Sequence, residues 1–183
     1  RRFQQQATLV TTGDPYLDGN SKRSFASPMG YSIDYQADLK SQSLVRKLGQ
    51  KAGIFFFYSD GCLTCEIAGQ SITTFSDRYG VDVLPISLDG KPLPTVNFKK
   101  PFSVDTGQAQ LLGVTTLPSY FLVNPEVVKS HGLSAGVEPI AQGAVADTDL
   151  RERMLIAALR KKWIKQDDYD LTKPARMDLN FIR

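Results

Sequence analysis

The chain has 183 residues, 42% apolar and 10% aromatic, with 22 Lys and Arg against 19 Asp and Glu for a net charge of +3 and a single His. That length makes one modest domain, or one domain with extensions, and that composition buries a core without disulfide staples and excludes a disordered tail. The small, scattered charge lacks the basic stripe of a nucleic-acid binder, and the apolar runs at 54–58 and 154–159 fall far short of the roughly 20 residues of a membrane span.

The chain opens on Arg1-Arg2-Phe3 without Met or an apolar leader stretch, which reads as a processed or trimmed chain. Residues 1–34, rich in Gly, Ser, Asp, Asn and Pro, read as loop-dominated cover. From Tyr35, Leu39, Leu44, Val45 and Leu48 recur at helical spacing, with Gly49 and Gly53 as the stop. Residues 54–58 form a short aromatic run between Gly53 and Ser59-Asp60-Gly61, as expected of a strand buried on both faces. Residues 62–79 carry Ile67, Ala68, Ile72 and Phe75 at intervals of three to five and end at Gly80, a helix of about five turns.

Residues 81–88 read as a second strand, parallel to the first, in which Pro85 argues for an edge position or a bulge. Residues 89–103, with Pro92, Pro94 and Pro101, form a loop long enough to be functional or peripheral. Asp105 caps a short helix through Leu112 that ends at Gly113. A third strand spans 119–123 and stops at Asn124-Pro125; a weaker fourth spans 137–144. An amphipathic helix over 150–163 is opened by Asp147 or Asp149, and its terminal Arg160, Lys161 and Lys162 answer the helix dipole rather than a phosphate backbone. The tail from Ile164 is polar and unpatterned. The organisation is therefore an arm and helix over 1–49, an α/β domain over 50–163 and a tail over 164–183.

Cys62 and Cys65 are the two cysteines of the chain, with two residues between them. Zinc is a poor fit, because a closed structural site needs four N or S ligands and two thiols with His131 do not supply them. The reading calls for no metal and no cofactor. A C-x-x-C between a buried strand and a helix start places the first thiol where free backbone N–H groups and the positive helix end stabilise a thiolate, the attacking species in disulfide exchange. The spacing puts Cys65 one turn further on the same face. Cys62 is thus the expected exposed nucleophile and Cys65 its buried resolving partner. The bland alternatives are two small apolar helix residues, or a fixed bridge, although a loop this short gains least from cross-linking.

Thr115-Thr116-Leu117-Pro118 opens the third strand. A cis Leu117-Pro118 bond there presents neighbouring backbone to an extended substrate, whereas a trans proline at a strand start is the commoner case. His131 reads as a solvated loop residue, Trp163 as a packing anchor, and Asp60 and Glu66 as helix-start charges.

The order strand, Cys62-Leu63-Thr64-Cys65, helix, strand, helix, Pro118, strand, strand, helix resembles the thioredoxin-fold thiol–disulfide oxidoreductases. Phe55-Phe56-Phe57-Tyr58-Ser59, Pro85-Ile86-Ser87-Leu88-Asp89-Gly90, Gly107-Gln108-Ala109-Gln110, Leu112-Gly113-Val114 and Leu122-Val123-Asn124-Pro125 resemble the TraF family, exported proteins of F-type conjugative transfer systems. The resemblance covers about residues 35–160, and residues 1–34 show no match to the family's N-terminal region. It implies a thioredoxin-like mixed sheet in which 54–58 and 119–123 are neighbouring central strands. It also implies a periplasmic location, a part in assembling the conjugative pilus and type IV secretion channel, and partners among other transfer proteins, several of them cysteine-rich. Thr116, Leu117 and Pro118, with Leu63 and Thr64, are the expected substrate contacts.

Two departures bear on mechanism. Gly61 stands before the first Cys where thioredoxin has Trp, and Phe56 stands where thioredoxins bury a proton-accepting acid. Some members of the family lack the cysteine pair, so two functions stay open: an enzyme that oxidises or isomerises disulfides through Cys62, and a noncatalytic assembly factor using the same fold as a binding surface.

Overall fold

A computed structural model describes residues 28–174. Most of the expected N-terminal arm, 1–27, and the last part of the tail, 175–183, lie outside the described residues. The first helix among the described residues, α1, spans Pro28–Leu48 and so begins ahead of the expected Tyr35. Proline suits a first helical turn, where its missing N–H has no partner to lose. From residue 32 onward the buried positions of α1 are Ala37, Leu44, Val45 and Leu48, so the apolar period that advertises a helix is carried mainly by its second half.

β1 spans Gly53–Tyr58, α2 Leu63–Tyr79, β2 Val83–Ser87, β3 Ser103–Val104, α3 Gln108–Leu111, β4 Ser119–Val123, α4 Pro125–His131, β5 Val137–Gln142, α5 Asp147–Arg160 and α6 Gln166–Asp170. The five strands make one mixed sheet in the order β3-β2-β1-β4-β5. β1 runs parallel to β2 and antiparallel to β4, with Gly53 opposite Val123 and Phe57 opposite Ser119. The two expected central strands are therefore neighbours.

Strand alternation divides the core. Ile54, Phe56, Tyr58, Tyr120 and Leu122 face a cluster completed by Leu44, Val45 and Leu48 of α1, Ala68, Ile72 and Phe75 of α2, and Leu150, Met154 and Leu155 of α5. Phe57, Phe121, Val123 and Val137 face the other way, under Ala109 of α3 and Val128 of α4. With aromatic rings filling both faces of β1, the absence of polar alternation in 54–58 is explained.

α1 is fastened to this frame by a buried cation. Arg151 of α5, 4% exposed, donates to Asp38 at 2.8 Å and to the Ser41 hydroxyl at 3.1 Å, and pairs with Asp147 at 3.4 Å. Tyr79 donates its hydroxyl to the same Asp147 at 2.7 Å. A charge taken out of water needs such partners on every side.

Pro85 departs from expectation, since β2 is an inner strand, yet the reason for the expectation survives. Ser87 C=O accepts from Asp105 N–H on the β3 side, and Leu88 N–H donates to Tyr58 on the β1 side. By alternation Pro85 turns its nitrogen toward β3, and β3 begins at Ser103, opposite Ile86. No ladder bond is asked of it. A second proline, Pro139, lies in the edge strand β5 beside an irregularity in the β4–β5 register.

Three elements went unexpected. β3 has two residues, too few for a periodic signal. In α4 the Asn124 side chain accepts from the N–H groups of Glu126 and Val127 with Pro125 in the first turn, so the Asn-Pro read as a stop is also a helix start. His131 is accordingly the last residue of that helix rather than a loop residue. α6 occupies part of the tail, and α5 starts at Asp147 with Ala146 as its cap and ends at Arg160.

Candidate active site

β1 delivers the chain to the turn Ser59-Asp60-Gly61. Gly61 has φ of 79°, a left-handed conformation that suits glycine and that a Trp at this position would adopt only under strain. Cys62 then takes extended backbone angles as the N-cap of α2. Its sulfur accepts the Cys65 N–H at 3.1 Å, the part usually played by a Ser, Thr or Asp oxygen. Helix α2 accordingly begins one residue later than expected, at Leu63. The two cysteines are joined as a disulfide with their Cα atoms 5.1 Å apart. Cys62 is half-buried and Cys65 is wholly buried, at 0% exposure, so Cys62 is the more accessible of the two. Among the described residues there is no group of three or more His, Cys, Asp or Glu arranged to hold a metal.

Leu63 (70% exposed) and Ile67 (54%) lie one turn apart on α2 beside the disulfide, with Thr64 exposed between them. Glu66 accepts the Thr95 hydroxyl at 2.8 Å. The 89–102 loop thus lies against α2, and Leu93 and Phe98 pack into the main core.

The Leu117-Pro118 bond is cis. Continuing the β1–β4 register places Pro118 opposite Tyr58, at the end of the sheet from which the Cys62 turn departs. Leu117 and Cys62 pack against the same core cluster, to which Cys65 belongs. The Thr116 C=O accepts the Ser119 hydroxyl, and the Pro118 C=O accepts Gly143 N–H at 2.9 Å. Between them, Leu117 N–H and C=O have no partner among the described residues. Thr116 and Leu117 are half-buried and Pro118 is buried.

Phe56 is fully buried among the rings of Phe98, Tyr58 and Tyr120, with centroids 5.7, 6.2 and 5.3 Å away. The buried carboxylate among the described residues, Asp149, pairs with Arg153 in α5 at 2.8 Å. Phe56 carries no proton acceptor, and the Asp149 carboxylate is engaged by Arg153. His131 is exposed, hydrogen-bonded to Ser130 at 2.7 Å, in a helix leaving the end of β4 that pairs with Gly53, away from Cys62. Trp163 is half-buried against the core. Tyr120 is buried with its hydroxyl donated to Gly143 C=O at 2.8 Å, and burial pushes its pKa upward.

Sequence reading did not assign the residues that hold the Cys62 turn. Asp89 accepts Asp60 N–H at 3.0 Å, Ser87 O–H at 3.0 Å and Lys91 N–H at 3.2 Å. Burial pushes the Asp89 carboxyl up, but the bonds from Ser87, Lys91 and Asp60 outweigh it and leave the carboxyl below its ordinary value. The signal was present in Pro85-Ile86-Ser87-Leu88-Asp89-Gly90, which was read only as a family marker.

A mixed sheet with a C-x-x-C disulfide capping the helix after its first strand, and a cis proline before its antiparallel strand, defines a thioredoxin-like domain with a dithiol–disulfide site. The family described as "TraF: F plasmid transfer operon protein" matches residues 1–155, and the chain belongs to it. The match includes residues 1–34, against the expectation that they stand outside. "Protein TraF" of Escherichia coli strain K12 is 33% identical over 158 residues, which is 84% of this chain and 58% of that protein, so the chain spans little more than half of its relative. Among solved structures, StoA from Bacillus subtilis is similar over 56% of this chain and 81% of its own, at 18% identity and a TM-score of 0.41. The N-terminal domain of PilB from N. meningitidis, in its reduced form, is similar over 63% and 83%, at 14% identity and a TM-score of 0.41. No helix among the described residues is long and apolar enough to cross a membrane.

Proposed function

We propose that this protein carries out thiol–disulfide exchange through Cys62 on other proteins of the conjugative transfer apparatus, in the periplasm, during assembly of the pilus and its secretion channel. The observation that carries the reading is the pairing of a half-buried, helix-capping Cys62 with a wholly buried Cys65. In the oxidising direction a substrate thiolate attacks Cys62 Sγ, the Cys62–Cys65 bond breaks, and Cys65 leaves as the thiolate. A second substrate thiolate then attacks the substrate sulfur of the mixed disulfide and releases Cys62 as a thiolate, which the Cys65 N–H and the helix dipole stabilise. The substrate leaves oxidised and the protein reduced. Isomerisation starts from that reduced form, with Cys62 attacking a substrate disulfide. Leu117 N–H and C=O pair with an extended substrate by strand addition, and Leu63, Thr64, Thr116 and Pro118 flank it.

One observation favours the alternative, an assembly factor that binds without exchange: Phe56 occupies the place of a buried acid, leaving Cys65 without an internal base. Insulin reduction and refolding of a scrambled substrate, with wild type and Cys62→Ala, separate the two beside a conjugation test. Exchange by the wild type and loss of both exchange and transfer in the variant support the enzyme. Normal transfer by the variant, with no exchange by the wild type, supports the binding factor.

A further inference from the structure

The turn that carries Cys62 is tied to the turn that follows β2, and the tie is a side chain. Asp89 Oδ2 accepts Asp60 N–H, two residues before Cys62, while Oδ1 accepts the Ser87 hydroxyl and Lys91 N–H. Ser87, at 0% exposure, shares its one proton between Asp89 and Lys91 C=O at 2.8 Å and accepts Lys91 N–H at 3.0 Å. Tyr58, the last residue of β1, donates to the same Lys91 C=O at 3.0 Å. Gly90, with φ of 77°, allows the chain to close this ring. Two adjacent parallel strands are thus locked at the end where the chemistry sits, through residues that form no part of the disulfide or of the expected substrate contacts.

We infer that Asp89 is a positioning residue: its carboxylate holds the Asp60-Gly61 turn so that Cys62 stays over Cys65 when the pair is reduced. The inference rests on the exchange reading above. A turn fixed in advance leaves little freedom to be lost when the disulfide closes, which raises the effective concentration of one thiol at the other. Releasing the turn makes closure costlier and the disulfide easier to reduce. Removing the Asp89 charge alone acts in the same direction, by favouring the Cys62 thiolate, so the test must separate position from charge.

The test is equilibration of the intact protein with defined ratios of reduced and oxidised glutathione, reading the fraction of oxidised Cys62–Cys65 by thiol alkylation. This reports on the bond itself, so it stands even if the insulin assay shows no catalysis. Asp89→Ala is expected to lower the equilibrium ratio of oxidised to reduced protein about fivefold, equivalent to roughly 20 mV at about 30 mV per tenfold. Asp89→Asn removes the charge but keeps an oxygen for Asp60 N–H; its amide donates to Ser87 Oγ and gives up the Lys91 N–H, which retains its bond to Ser87 Oγ, and the variant is expected to stay within about twofold of wild type. Asp105→Ala, which removes a comparable carboxylate bond to Ala109 N–H at 2.9 Å away from the Cys62 turn, is expected to change nothing. An unchanged ratio in Asp89→Ala, an Asn shift as large as the Ala shift, or an equal shift from Asp105→Ala each overturns the inference. If Asp89→Ala does not fold, Asp89→Ser is read by the same criteria; if neither folds, the tie is purely structural and the inference fails.

Discussion

Val96 lies so close to Gly69 that a Cβ built on the glycine would stand 2.8 Å from Val96 Cγ2 and 3.3 Å from Leu93 Cδ2. The glycine is in the middle of the cysteine-bearing helix, where it costs roughly 1 kcal/mol against alanine in propensity. It is there because the long loop after β2 presses on that helix.

Gly69→Ala is therefore expected to destabilise the protein, since overpacking costs about 1–3 kcal/mol and exceeds the propensity gain. Val96→Ala opens the space, so the double variant should recover the loss relative to Val96→Ala alone. Urea unfolding of the four species checks it; additive effects would show that the loop is not pressed on α2.

Arg151→Met retains much of the volume and removes the cation that ties Asp38 and Ser41 of α1 to Asp147 of α5. A loss of about 2 kcal/mol is expected, in the range of a hydrogen-bonded charge. Arg78 makes a solvent-exposed pair with the same Asp147, and Arg78→Met should change the urea midpoint far less. Equal effects would place the stability in surface charge rather than in the buried tie.

On the exchange mechanism proposed above, Cys65→Ala leaves Cys62 able to form a mixed disulfide and removes the thiol that would resolve it. Incubated with a disulfide-bonded model protein, this variant should accumulate a cross-linked species on non-reducing gels, and Cys62→Ala should not. The asymmetry follows from the burial of Cys65; cross-links of equal yield from both variants would contradict it.

Acid should weaken the ring of bonds around Asp89. Its carboxyl titrates below its ordinary value in the folded protein, so its contribution is complete above about pH 4 and is lost as pH falls through the lowered value. The urea midpoints of wild type and Asp89→Ala should differ at neutral pH and converge as pH falls through the lowered value. A gap that persists in acid would show that the carboxylate's ionisation is irrelevant.

The legible parts of this protein were those whose signal is local. The run 54–58 is aromatic throughout because both faces of β1 are covered, and Cys62 sits where a strand ends and a helix begins. What escaped was set by distance in the chain. The two residues of β3 acquire meaning only beside Ile86 and Ser87, and Asn124-Pro125 marks both the end of a strand and the start of a helix, of which only the first was read. Asp89 opens the 89–103 loop in the sequence, and only folding brings it to Asp60. Pro85 was misplaced because the expectation took the strand as the unit, whereas the relevant unit is the single rung that β3 fails to reach.

The positions of Pro85 and Pro139 have a further consequence for solubility. A sheet ending in a two-residue strand on one side and a six-residue strand on the other exposes backbone that invites another chain to add to it and propagate into aggregates. Proline offers no N–H to such a visitor. One proline lies where β2 outruns its short neighbour, and the other lies in the outermost strand on the opposite side. The sheet is thereby guarded along its flanks, while at the end where Leu117 sits, beside the disulfide, the Leu117 N–H and C=O carry no such guard.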